Sequence, residues 1–213
     1  MKLAFDLETD GLLDDLSVVH CLVAIDMDTG KQYKYEPHQI KEGLALLQSA
    51  DELWGHNIIS YDFQAIRKLY PRWTYRGKAY DTLILSRLLF TDILDRDFRS
   101  RPANMPANLY GRHSLESWGH RMGKHKSEFG KSLAGDWSTY SPERLDYCVQ
   151  DVVVSVELAN MFIPRLAKYQ QSIDTEHKIA ELMSWQESMG FPFNERAAQE
   201  LESTLRIELD DLS

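Results

Sequence analysis

The chain opens with KLAFDLET, in which Leu3, Phe5 and Leu7 alternate with Ala4, Asp6 and Glu8. A period of two predicts a strand with one packed face and one acidic face. VVHCLVAID and KQYKYEP flank the turn sequence MDTG and predict two antiparallel strands. KEGLALLQSA reads as a helix and ELWGHN as a short strand, and from Tyr61 to Leu69 the apolar Phe63, Ile66 and Leu69 recur at helical spacing. KAYDT predicts another short strand and TLILSRLLF a helix. DRDFRSRPANMPANLYGR, with two prolines and little periodicity, predicts a long surface loop. Ser114 caps a helix through SLESWGHRM, and Ser141 with Pro142 starts one that runs to about Pro164. A helix from about Asp174 to Met189, an extended GFPF and a helix capped by Asn194 complete the pattern.

Strands first, then alternating strand and helix, then helices alone predict an α/β fold: a mixed sheet with helices on its faces. A boundary is expected near residue 170, dividing the chain into 1–170 and a helical extension over 171–213. The 213 residues suffice for a substantial core, and a composition 43% hydrophobic and 27% charged excludes wholesale disorder. No apolar run approaches the roughly 20 residues of a membrane span, and acidic residues arrive too early for a signal peptide. Cys21 and Cys148 are the only cysteines, so neither a disulfide framework nor a Cys-rich zinc site is expected, and the cytoplasm is the natural setting. His113, His120 and His125 match no zinc spacing.

Net charge is −9, which argues against broad binding along a nucleic-acid backbone. The distribution is uneven. Between Arg96 and Lys131 eight basic residues face three acids, whereas ten acids face three bases from Gln171 to Ser213. A short polyanion could be gripped by the basic segment, with Arg96 to Arg112 as the best candidate for strand contact and Lys126 read as a surface residue.

Three polar clusters interrupt the apolar pattern. Asp6 and Glu8, two apart on a strand, leave by the same face, and such a pair of hard oxygen donors can hold a divalent cation. HNIISYD places His56 and Asn57 at the end of a strand, with Tyr61 and Asp62 opening the next helix. YCVQD places Tyr147 and Asp151 one helical turn apart, with Asp151 beside the apolar run VVVSV, where an acid should be paired or bind metal.

In this order, FDLET, HNxxxYD and YxxxD resemble the three motifs of the DEDD 3′–5′ exonucleases, in the subclass with a tyrosine four residues before the last aspartate. FDLETDGL is similar to the first motif in proofreading domains of family A DNA polymerases. HSLESWGHRMG, DTLILSRL, DYCVQDVVV and GFPFNERAAQEL resemble the replicative polymerase of podovirus-type phages. The resemblance implies the ribonuclease-H-like exonuclease fold, a mixed five-stranded sheet flanked by helices with a C-terminal helical extension. It implies an exodeoxyribonuclease that hydrolyses the terminal phosphodiester of single-stranded DNA and releases nucleoside 5′-monophosphates. Asp6, Glu8, Asp62 and Asp151 would hold two divalent ions, Mg²⁺ or Mn²⁺, and Tyr147 would orient the attacking water. Thr9 and Leu12 would contact the last nucleotide, and Asn57 and Tyr61 would support the strand end. The implied partners are a DNA 3′ end and a polymerase module, in the same longer chain or as a separate subunit, with no membrane and a monomeric state expected. If phage-encoded, the protein would act in the host cytoplasm.

Two other readings compete: a non-catalytic scaffold or docking lobe of a polymerase, and an RNA-trimming exonuclease of the same superfamily. The sequence holds no palm-type acidic motif after residue 213, so DNA extension by this chain alone is not expected.

Overall fold

A computed structural model describes residues 1–124 and 138–212. His125, Lys126 and Lys131 lie outside the described residues. Five strands form one sheet: β1 (Lys2–Thr9), β2 (Val19–Asp26), β3 (Gln32–Tyr35), β4 (Glu52–Gly55) and β5 (Lys78–Asp81), in the order β3-β2-β1-β4-β5. β1 pairs antiparallel with β2 and parallel with β4, and β5 extends the parallel half. β1 is therefore central, at the place where strand direction changes. The helices are α1 (Ile40–Ser49), α2 (Asp62–Leu69), α3 (Thr82–Leu89), α4 (Ile93–Ser100), α5 (Leu115–Arg121), α6 (Pro142–Met189) and α7 (Glu195–Asp211). No helix among the described residues is long and apolar enough to cross a membrane.

Alternation along β1 sorts its side chains into two core layers. Leu3, Phe5 and Leu7 pack with Leu22 and Leu53 against Leu44 and Leu47 of α1 and Phe63 and Ile66 of α2. On the other face, Ala4, Cys21, Val23 and Trp54 pack against Leu85 of α3, Trp118 of α5, and Cys148, Val152 and Phe162 of α6. The acidic face expected for β1 is thus covered as well; Asp6 and Glu8 emerge only where α6 crosses its C-terminal half. Each fully buried Leu or Phe contributes roughly 1.5–3 kcal/mol relative to exposure, so both layers hold β1 firmly.

Two expectations need correction. Residues Ile93–Ser100, placed partly in a surface loop, form α4. Its buried face consists of Ile93 and the charged Asp97, so hydrophobic periodicity could not show it. The helix expected to end near Pro164 instead runs on, and its one non-helical residue is Tyr169 (φ −120°, ψ 18°). Proline inside a helix costs about 3 kcal/mol. Here Leu158, Ala159, Phe162 and Ile173 are buried on either side of it, and their packing outweighs the lost hydrogen bond.

The chain divides into two compact units, Met1–Glu181 and Leu182–Ser213. The second holds the end of α6 and all of α7, whose first turn is capped by Asn194 accepting from Ala197 N–H at 3.0 Å. Leu201, Leu205 and Leu209 recur every four residues along α7 and are exposed.

Candidate active site

The carboxylates gather at the C-terminal end of β1. Its pairing with β2 slips between Glu8 and Thr9, which turns the following residues out of the sheet. Thr9 Oγ1 donates to Gly11 O at 2.8 Å, and Tyr61 Oη donates to the same carbonyl at 2.8 Å. The carboxylate of Asp10 accepts from Ser17 N at 2.8 Å and Val18 N at 3.0 Å, closing the loop on itself. Desolvation opposes the Asp10 charge, but the bonds from Ser17 and Val18 outweigh it and lower its pKa to about 2. Lys68 of α2 donates to Leu13 O and Asp14 O. A cleft of about 400 Å³ results, lined by Leu7, Glu8, Thr9, Asp10, Gly11, Leu12 and Tyr61, with Leu12 76% exposed at its rim.

β4 ends at Gly55, where a Cβ would stand 2.8 Å from Phe5 O and 2.3 Å from Ile58 Cγ2, so only glycine lets the chain pass this close to β1. Asn57 follows in the left-handed region (φ 67°). The chain then enters α2 at Asp62, which is 2% exposed and whose Oδ1 has no hydrogen-bond partner among the described residues. Burial, reinforced by the negative charges of Asp81 and Glu8, pushes its pKa up to about 8. Burial and the charges of Asp62, Glu8 and Asp6 likewise raise Tyr61. Asp62, Glu8 and Asp6 therefore act on one another across a shared space.

The third cluster arrives on α6. Asp151 is 8% exposed, and Tyr147 is half-buried one turn before it. Between them Cys148 Sγ donates to Asp6 O at 3.5 Å and to Asp6 Oδ2 at 3.6 Å, fixing this turn against β1. Ligand atoms of Asp6, Glu8 and Cys148 lie within 4.8 Å of one another. Burial and the neighbouring Cys21, Asp6 and Glu8 raise the Cys148 thiol well above its ordinary range, so at neutral pH it is a proton donor. The remaining donors, Asp6, Glu8 and the partnerless oxygen of Asp62, are hard oxygens suited to a divalent cation.

The structure thus brings Asp6, Glu8, Thr9, Leu12 and Tyr61 together around or beside the cleft, sets Asp62 within their electrostatic reach, and carries Tyr147 and Asp151 on the turn pinned to Asp6. Asn57 lies outside the cleft lining; its N–H is bonded to Asp81 instead. The basic segment is largely engaged. Arg96 and Arg99 pair with Asp92, and Arg121 pairs with Asp97. Three residues escaped the sequence reading. Cys148, expected to point elsewhere, touches Asp6. Asp81, read as the end of a short strand, is 1% exposed and accepts from Asn57, Ile59 and Leu83 N–H groups. His177 accepts Asp81 N–H at 2.9 Å. The Asp-Thr pair at a strand-to-helix junction was the signal for Asp81; nothing local marks His177.

This architecture recurs among solved nucleases. A structure described as the apo form of a nuclease matches with a TM-score of 0.60 and 20% identity over 89% of this chain and 85% of that one. Brucella melitensis NrnC with bound Mg²⁺ matches at 0.57 and 18%, over 89% and 86%. E. coli Exonuclease I in complex with a dT13 oligonucleotide matches at 0.54 and 16%, over 85% and 45%. The fold is the ribonuclease-H-like exonuclease fold. In sequence, the chain is similar to the DNA-directed DNA polymerases of Enterobacteria phage T3 and Escherichia phage T7. Each is 30% identical, over 93% and 92% of this chain. The chain spans about a third of the length of these curated relatives (34% of each). No protein-family profile matches it.

Proposed function

We propose that the chain is a metal-dependent 3′–5′ exonuclease that removes nucleotides from single-stranded DNA ends and proofreads for a family A DNA polymerase module. The observation that carries this reading is the meeting of Asp6 and Glu8 with the buried, partnerless Asp62 oxygen at the end of β1, beside an open cleft. Resemblance to the phage polymerases over nearly the whole chain supports the proofreading role.

Asp6, Glu8, Asp62 and Asp151 would hold two divalent ions, Mg²⁺ or Mn²⁺, which together supply a hydroxide from bound water and stabilise the leaving 3′ oxygen. The residues of the chain do the rest. Leu12, exposed at the rim, packs against the terminal base, and Thr9 and Tyr61 hold the loop that carries it. The Tyr147 hydroxyl orients the attacking water; its proton stays on at neutral pH, since tyrosine ordinarily titrates near 10. Terminal nucleotides enter the cleft singly, which reconciles the work with a chain of net charge −9: contact with a few phosphates suffices. The helical extension over 171–213 is assigned to contact with the polymerase module, and the exonuclease unit acts as a monomer.

Calorimetric titration with Mn²⁺ and digestion of a 5′-labelled oligonucleotide test the reading together. Stepwise shortening from the 3′ end, dependent on metal and abolished in Asp6→Ala, is expected. Metal binding without hydrolysis would leave the scaffold role, and a faster reaction on RNA would replace the DNA substrate.

A further inference from the structure

Cys148 is fully buried, and both acceptors of its thiol belong to Asp6, 142 positions away in sequence. It sits between Tyr147 and Asp151, the two α6 residues assigned to the site. We propose that Cys148 is a positioning residue, whose thiol holds Oδ2 of Asp6, leaves Oδ1 for the cation, and sets the register of the Tyr147–Asp151 turn against β1. The proposal rests on the metal-site reading above and names the contact that gives the site its shape.

The chemistry favours orientation over strength. A thiol is a weak donor, so the bond adds little stability. But the terminal torsion of an aspartate is broad and nearly two-fold, and a carboxylate with no donor would present either oxygen to an incoming cation. One directed S–H removes that ambiguity. The same atom is shared with the main-chain carbonyl of Asp6, so side chain and strand are located by one group. Cys21 faces Glu8 across the β1–β2 pairing, is fully buried, and belongs to the same core layer as Cys148. The thiol is therefore backed by packed atoms and has no room to swing away. Groups that orient a metal ligand in this way change metal affinity by about 10- to 100-fold when removed.

Two substitutions separate positioning from packing. Cys148→Val keeps the volume and removes the donor; Cys148→Ser keeps a donor. Mn²⁺ affinity measured by calorimetry should fall by at least about 10-fold in Cys148→Val and stay near that of the parent in Cys148→Ser, with both variants melting like the parent. Wild-type Mn²⁺ affinity in a folded Cys148→Val protein would overturn the proposal. A second measurement stands even if Cys148→Val fails to fold. The infrared S–H stretch of Cys148, recorded in a Cys21→Ala background, should lie at the frequency of a hydrogen-bonded thiol and shift on Mn²⁺ saturation. A band at the free-thiol position, or one that Mn²⁺ leaves unmoved, refutes the assignment. If the protein binds Mn²⁺ with the expected Cys148 dependence yet degrades no oligonucleotide, the exonuclease reading fails while the positioning role survives.

Discussion

The carboxylate of Asp81 accepts the backbone N–H of Asn57 at 2.9 Å, tying the end of β5 to the left-handed residue that follows β4. The same carboxylate accepts from Ile59 at 3.1 Å and from Leu83 at 2.9 Å. The loop that delivers Tyr61 and Asp62 is therefore wound around a buried acid. Burial raises the pKa of Asp81 and the three N–H bonds oppose the rise. Asp81→Ala would leave three donors unsatisfied, at about 1–3 kcal/mol each where they remain buried. A loss of roughly 3 kcal/mol or more in urea unfolding is expected, along with weakened metal binding through displacement of Asp62. A loss below about 1 kcal/mol would show that the loop holds itself.

Asp62 carries a pH signature. Its folded pKa of about 8 lies above its unfolded value, so between roughly pH 4 and 8 the folded chain binds more protons than the unfolded one. Stability of the metal-free protein is fully present below the lower value and falls as pH rises through this window. Glu8 and Asp81 supply the repulsion that burial begins. Asp62→Asn should flatten the fall in Tm between pH 5 and 8 and raise the metal-free Tm at pH 8, while abolishing hydrolysis. Mn²⁺ should stabilise the parent most at the alkaline end, where the carboxylate is most exposed to repulsion. A parent Tm that climbs across the window contradicts the assignment.

Tyr61 acts on the cleft from its other wall. Its hydroxyl donates to Gly11 O, and Leu12 follows directly. Tyr61→Phe removes one hydrogen bond, worth about 1 kcal/mol of stability, and frees the loop that presents Leu12. Steady-state kinetics on a short oligonucleotide should show KM rising several-fold with kcat changed less. A fall in kcat at constant KM would instead place Tyr61 at the reacting phosphate.

How much of this was legible beforehand follows from which interactions are local. The five strands and most helices could be read because their signals lie within ten residues: alternation in KLAFDLET, turn residues in MDTG, serine and asparagine caps at Ser114 and Asn194. The acids of the site could be read because each sits in a short motif at a strand end or on one helical turn. What failed depends on distant partners. Cys148 and Asp6 meet across 142 positions, and His177 and Asp81 across 96. Pro164 signals a stop locally, and only the packing of Phe162 and Ile173 overrules it. α4 was missed because its inward residue is an aspartate, whose burial makes sense only once Arg121 is placed beside it.

That pair gives the last prediction. Arg121 grips Asp97 with two hydrogen bonds, at 2.8 and 2.7 Å, and the side chains are 10% and 2% exposed. Asp97 also accepts from Gly111 N–H at 2.9 Å, so it anchors α5 and the residues leading to it onto α4. Desolvation opposes its charge, but Arg121 and Gly111 outweigh it and lower its pKa. Its stabilising share is therefore present at neutral pH and lost as pH falls through the folded value. Removing one partner of a buried pair costs about 3–5 kcal/mol because the other charge is stranded. Asp97→Ala should destabilise by about that amount, whereas Asp97→Leu combined with Arg121→Met should recover most of it. Since neither residue lines the cleft, Mn²⁺ affinity at low temperature should match the parent in the double variant. A double variant as unstable as Asp97→Ala would mean that the lost anchor to Gly111, rather than the stranded arginine, sets the cost.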